Sequence, residues 1–164
     1  MTASNPLTHI KLRHPVHFFA VGFGAGLMKS APGTWGTLVG LGWGVLLLQW
    51  LSSISLLILT ALFFVVGCYL CQKTADDMGV HDHGAIVWDE IVGILLVLCA
   101  LPAFDWLWYL IAFVLFRLFD IVKPYPIRYF DRKLESGFGI MIDDVLAALY
   151  SVITIRLLAY LLIS

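Results

Sequence analysis

The stretch GTLVGLGWGVLLLQWLSSISLLILTALFFVVGCYLCQ, Gly36 to Gln72, runs 37 residues without a charged side chain. It is too long for one bilayer crossing of about 20 residues. Its middle, LSSIS (Leu51–Ser55), is a polar break. Two antiparallel helices fit, Gly36–Leu51 and Ile54–Gln72. The first carries Gly36, Gly40 and Gly44 at i, i+4, i+8. That spacing lets a neighbouring helix approach closely.

Working outward, the next apolar segments are Ile86–Leu101 and Trp106–Val122, joined by PAFD (Pro102–Asp105), and then Ile140–Ile163. The expectation is an all-α membrane bundle of about five helices. It forms a single domain over 1–164, with residues 1–14 a polar N-terminal tail. The charged loops are that tail, Lys73–Gly84 and Lys123–Gly139. Antiparallel helices put them on one face and the two plain turns on the other. Lys11, Arg13, Lys29, Lys73, Lys123, Arg128, Arg132 and Lys133 then share a side, which the positive-inside rule makes cytoplasmic. Residues 15–30 can dip into the membrane or lie on it.

Composition agrees. Apolar residues make up 61% of the 164-residue chain and mean hydropathy is +0.94. A chain of this size cannot hide that much apolar surface internally. Net charge is −1, which gives no footprint for nucleic acid. Three cysteines imply no disulfide framework. Cys68 and Cys71 form C-x-x-C inside an apolar segment and read as packing. No short apolar segment with a cleavage site follows the N-terminus, so no signal peptide is expected.

The middle helices approach membrane length only with their charged ends included. Ile91–Phe104 is 14 residues and Trp106–Phe116 is 11. Asp89 and Glu90 therefore belong to one helix end, Arg117 and Asp120 to another, and Asp143 and Asp144 to a third. Arg156, three turns past Asp144, must reach outward or find a partner. Carboxylates at membrane depth are costly and mark function. Five together repel, and a divalent cation relieves them. Oxygen ligands without a His/Cys cluster favour Mg²⁺ or Mn²⁺ over zinc. Arg117 and Lys123 stand beside the acids, and a metal with Arg and Lys is equipment for phosphate. Asp144, Ala147, Ala148 and Ser151 share a helix face, which turns Asp144 inward. In LMKSAPGTWGT (Leu27–Thr37), Lys29, Ser30, Thr34 and Thr37 add donors near a helix start. Thr34 reads equally well as an ordinary N-cap. His81 and His83 form only a weak metal pattern in a loop.

Known phosphatase patterns are absent: no Cys is followed by Arg six positions on, and there is no D-x-D-x-T run or S-G-H triplet. VHDHGAIVWDEIVG, FRLFDIVKPYPIRYFDR and GFGIMIDDVLAALY, preceded by PGTWGT, resemble bacterial phosphatidylglycerophosphatase A over roughly residues 15–155. The resemblance implies a Mg²⁺-dependent, multi-pass enzyme of the bacterial inner membrane, with its active site facing the cytoplasm. Such enzymes hydrolyse phosphatidylglycerophosphate to phosphatidylglycerol and inorganic phosphate, supplying phosphatidylglycerol and cardiolipin. Two small-for-small departures are Ser136-Gly137, where paired glycines are common, and Ala148, where glycine is common. The family includes soluble members, and the hydropathy argues for the embedded form.

On that resemblance Asp89, Asp143 and Asp144 are expected to hold the metal. Glu90 or Asp120 is the general base. Lys123, Arg117 and Lys29 clamp phosphate, with Ser30, Thr34 and nearby amides assisting; Asp131 and Arg132 stand behind them. Asp120 is the candidate nucleophile if an aspartyl-phosphate forms. The rival expectation is a small ion transporter using the same carboxylates. It leaves the cations beside the acids unexplained.

Overall fold

The structure, a computed structural model, describes residues 6–163 apart from the side chains of Arg132 and Ile163. Arg132's expected supporting role therefore lies outside the described residues. Every regular element among them is helical. The chain order is a 3₁₀ turn (Pro6–His9), α1 (Pro15–Ala20), a second 3₁₀ segment (Gly22–Leu27), α2 (Pro32–Leu47), α3 (Ser53–Met78), α4 (Trp88–Leu98), α5 (Trp106–Val122), α6 (Ile127–Lys133) and α7 (Gly137–Ile163). The five expected helices are α2, α3, α4, α5 and α7. The short α1 and α6 fall in segments with no apolar period long enough to announce a helix.

Two helices, α3 and α7, are long and apolar enough to cross a membrane, with mean hydropathies of 2.5 and 2.1. Each rises about 40 Å at 1.5 Å per residue. Only 28% of each apolar stretch is buried inside the protein. A soluble protein's core helix would be mostly buried. Further large apolar side chains are exposed along α5 at Leu107, Leu110, Val114, Leu118 and Ile121. This spacing draws one outward stripe.

The core sits around α4. Of its 11 residues, nine are buried, from Trp88 to Leu98. It packs against α2, α3, α5 and α7. A helix apolar on all sides belongs inside. The sequence expectation that α4 reaches toward membrane length is thus corrected: it is a short axle wrapped by longer helices. Gly36, Gly40 and Gly44 make this possible. A Cβ at Gly36 would meet Val87 Cβ at 2.6 Å, and one at Gly40 would meet Ile94 Cγ2 at 2.6 Å. Their spacing presents one bare face of α2 to α4, as the sequence predicts.

Helix ends carry further corrections. The expected first helix starts at Gly36, but α2 begins a turn earlier, at Pro32 behind Ala31 in the left-handed region (φ 49°). Proline suits a first helical position, where its missing N–H costs nothing. Thr34 is therefore inside the first turn and not its cap. Helix α3 outruns its expected end at Gln72 and stops at Met78, with Gly79 left-handed (φ 67°) behind it. The charged residues expected in a loop continue the helix. Gln72 donates to Asp76 at 2.9 Å and Lys73 pairs with Asp77, both at i, i+4. His17 of α1 joins them, its Nε2 donating to Asp77 Oδ2 at 3.0 Å while its Nδ1 accepts from the Lys11 amide at 3.0 Å. This ties the N-terminal segment to the end of α3.

The antiparallel order places the starts of α2, α4 and α7 and the end of α5 together. The opposite end holds the plain turns, where Ser52 caps α3 and Asp105 caps α5 by accepting from the Leu107 and Trp108 amides. Arg156 is exposed on α7.

Candidate active site

At the shared end, one carboxylate oxygen each from Asp89, Glu90 and Asp144 lies within 4.8 Å of the others. Among the described residues this is the sole group of three or more His, Cys, Asp or Glu so arranged. Asp89 and Glu90 project from the first turn of α4, and Asp144 from the second turn of α7. Asp144 is 2% exposed and the neighbouring face, Ala147, Ala148 and Ser151, is fully buried. Those small residues admit α4 closely. A Cβ at Gly93 would meet both the Phe116 ring and Asp144 Cβ.

Three buried oxygens of this cluster have no hydrogen-bond partner: Asp89 Oδ1, Glu90 Oε2 and Asp144 Oδ2. Buried polar atoms are ordinarily paired. Three unpaired oxygens, one on each acid of one cluster, fit the ligand set of a cation. The donor set is all oxygen, which fits Mg²⁺.

Cations flank the cluster on both sides. From α5, Arg117 Nη1 pairs with Asp120, lies 3.7 Å from Glu90 Oε1 and donates to Thr37 Oγ1 at 3.5 Å. Thr37 itself donates to Gly33 O at 2.8 Å. The start of α2 is thereby pressed onto the site: a Cβ on Gly33 would overlap Glu90 Oε1 and crowd the Arg117 guanidinium. Any larger residue there would have to push the Glu90 and Arg117 side-chain ends aside. Arg117 Nε is a further buried atom without a partner.

On the other side Lys123 donates to Asp143 Oδ2 at 2.6 Å and to Asp131 Oδ1 at 2.5 Å. Lys123 caps α5 in the left-handed region, φ 44°. Sparsely populated backbone of this kind recurs at functional sites. Burial by itself would lower the Lys123 pKa, but the Asp143 and Asp131 carboxylates outweigh it and hold it above the ordinary lysine value.

The structure thus sorts the expected residues. It brings together Asp89, Glu90 and Asp144, with Arg117, Asp120, Asp143 and Lys123 around them. It does not put Asp143 in the three-oxygen cluster: its Oδ2 faces Lys123, and its Oδ1 accepts from the Asp144 amide at 3.0 Å. Glu90 takes that place. Lys29 and Ser30 are exposed before α2, and among the described residues no hydrogen bond or ion pair joins them to the acids. The Thr34 and Trp35 amides both donate to Ala31 O, which leaves few amides at the α2 start for an anion. His81 is exposed, and His83 Nδ1 accepts from the Ala85 amide at 3.1 Å, so neither joins the cluster. Cys71 is buried against Met141, and Cys68, Cys71 and Cys99 are all free thiols. Asp131, expected to stand behind the clamping residues, holds Lys123, whereas Gly33 gained its place from contacts across the bundle that no local spacing encodes.

Two cations, Arg117 and Lys123, stand among six carboxylates of this linked group: Asp89, Glu90, Asp120, Asp131, Asp143 and Asp144. Ion pairing inside the protein therefore does not balance the site.

Comparison with known proteins places the chain in a family. The phosphatidylglycerophosphatase A family model matches residues 18–159. A phosphatidylglycerophosphatase A of Haemophilus influenzae is 62% identical over 160 residues, 98% of each chain. One of Escherichia coli is 47% identical over 146 residues, 88% of this chain and 83% of its own. A Bacteroides thetaiotaomicron protein with the provisional name phosphatidylinositol-3-phosphatase is 42% identical over 140 residues, 82% of this chain and 87% of its own. No solved structure matches the chain. With a family model spanning most of its length and close relatives covering nearly all of it, the chain belongs to the phosphatidylglycerophosphatase A family.

Proposed function

We propose that this chain hydrolyses the terminal phosphate monoester of phosphatidylglycerophosphate, releasing phosphatidylglycerol and inorganic phosphate. The relatives' names supply the substrate. The observation that carries the chemistry is the set of three orphaned acid oxygens between two cations.

Asp89, Glu90 and Asp144 would hold a Mg²⁺ ion. When bound, that ion offsets phosphoryl charge and lowers the pKa of water beside it. The remaining steps belong to the side chains. Arg117 and Lys123 attract the dianionic phosphate and hold it over the acids. Lys123, with its raised pKa, is a standing charge and a poor proton donor at neutral pH. Asp120 is neither in the three-oxygen cluster nor held by Lys123, and Arg117 fixes one of its oxygens. It is the carboxylate left to take a proton from water. The water oxygen bonds to phosphorus, the bond from phosphorus to the glycerol oxygen breaks, and that oxygen leaves as the alcohol after gaining a proton.

The proposal includes a multi-pass position in the bacterial inner membrane with the acid end at the cytoplasmic surface. Support comes from the mostly unburied apolar lengths of α3 and α7 and from the lysines and arginines of the loops at the acid end. There a headgroup is wet while acyl chains stay in lipid.

The test is phosphate release from phosphatidylglycerophosphate in detergent micelles, with Mg²⁺ and with EDTA. Mg²⁺-dependent release is expected. No release, or release that EDTA leaves unchanged, would overturn it. A cation transporter with these acids would instead carry flux in liposomes and release no phosphate.

A further inference from the structure

Beside the acids, a cavity of about 550 Å³ opens between the end of α5 and α6. Val122, Lys123, Tyr125, Arg128, Tyr129 and Lys133 line it. Lys123 is the shared wall. Its ammonium points to Asp143, next to Asp144 of the acid cluster, while its residue also borders the cavity.

The other two cations of the cavity make contacts with neutral groups alone among the described residues. Arg128 is exposed and donates to a backbone carbonyl, Val122 O, at a long 3.4 Å. Lys133 is exposed, donates to the Tyr129 hydroxyl at 2.6 Å and lies 5.0 Å from the Tyr129 ring centroid. Among the described residues neither has an acidic partner within 4.0 Å. Two such cations in one concavity recognise an anion with more than one acceptor oxygen. The cavity is also held in shape. Tyr150 of α7 donates its hydroxyl to Tyr125 O at 2.9 Å, and Asp131 of α6 is bound to Lys123. Its outer edge is apolar, with Val122 and Tyr125 exposed, and it continues into the outward stripe of α5 at Leu118 and Ile121.

We propose that this cavity binds the second, non-reacting phosphate of the substrate, the phosphodiester that joins the headgroup to diacylglycerol, with Arg128 and Lys133 as its donors. The inference rests on the activity proposed above. Phosphatidylglycerophosphate carries its two phosphates on one glycerol. A terminal phosphate drawn to Lys123 and the acids leaves the diester about one glycerol away, on the cavity side of Lys123. The acyl chains then follow the α5 stripe into lipid. Arg128 and Lys133 make the site selective for a lipid with a diester behind its monoester.

The experiment uses the full chain in neutral detergent micelles. Rates are measured with phosphatidylglycerophosphate, and phosphatidylglycerol (diester only) and phosphatidic acid (monoester only) are tested as inhibitors. Arg128→Ala and Lys133→Ala should each raise KM and the phosphatidylglycerol inhibition constant about tenfold, the worth of one charge-assisted hydrogen bond. The phosphatidic acid constant should stay put, and kcat should hold within about twofold. A retained kcat also reports intact folding. Unchanged KM in both variants overturns the inference. So does an equal rise for phosphatidic acid, or an equal effect from Arg13→Ala, because either means attraction of any anion. Calorimetric titration with short-chain phosphatidylglycerol needs no turnover. If the wild-type protein releases no phosphate, the activity reading fails, and the titration of wild type against Arg128→Ala still decides the cavity.

Discussion

The Lys123 ammonium lies 2.6 Å from Asp143 Oδ2, so the first of the two adjacent aspartates on α7 is neutralised while the second is not. Asp144 faces Asp89 and Glu90 with an oxygen that nothing satisfies. Neighbours in sequence thus have different work.

That difference is measurable. Asp144→Asn, Asp89→Asn and Glu90→Gln should each lower kcat by about two orders of magnitude or more, the scale of losing one group that stabilises developing charge. Asp143→Asn should cost about tenfold, because Asp131 still holds Lys123. Steady-state phosphate release decides it. Equal losses at 143 and 144 would make Asp143 a member of the cluster.

Asp120→Asn should lower kcat while leaving KM close to the wild-type value, as expected when a group acts in the chemical step more than in binding. The check is a full saturation curve at fixed Mg²⁺. A raised KM with kcat retained would make Asp120 only the tether of Arg117.

Replacing Gly40 by Leu should lower the melting temperature in detergent, because the new side chain must displace α4 at Ile91 and Ile94. Overpacking of this kind costs about 1–3 kcal/mol. The same change at Gly42, where nothing lies within 4 Å, should be close to neutral. Thermal unfolding followed by circular dichroism compares the two.

Lys123 makes a prediction about pH. Its folded pKa is raised, so the stability it contributes is complete below the unfolded value of about 10.4 and is lost as pH rises through the folded value. The stability gap between wild type and Lys123→Met should not fall from pH 7 to about 10 and should shrink only above that. A gap that falls between pH 6 and 8 would contradict the ion-pair geometry.

The sequence carried the helix count, the bare face of α2 and the gathering of Asp89, Glu90, Asp120, Asp143 and Asp144. These are periodic or topological properties, and a sequence displays both. The structure adds that Glu90, and not Asp143, shares the three-oxygen cluster with Asp89 and Asp144. That arrangement depends on which oxygen Lys123 reaches after α5 ends in a left-handed turn, and no spacing encodes it. The charged end, Asp89 and Glu90, does belong to α4, yet the helix stops at Leu98 after 11 residues. The helix is short because it is surrounded. Lys29, expected from its place near a helix start, sits exposed in the turn before α2.

The most direct measurement is Mn²⁺ binding, read by electron paramagnetic resonance of the free ion against the wild-type protein, Glu90→Gln and Asp143→Asn in the same detergent. The account predicts that Glu90→Gln loses binding and Asp143→Asn keeps it. Retention by Glu90→Gln together with loss by Asp143→Asn would contradict the cluster of Asp89, Glu90 and Asp144.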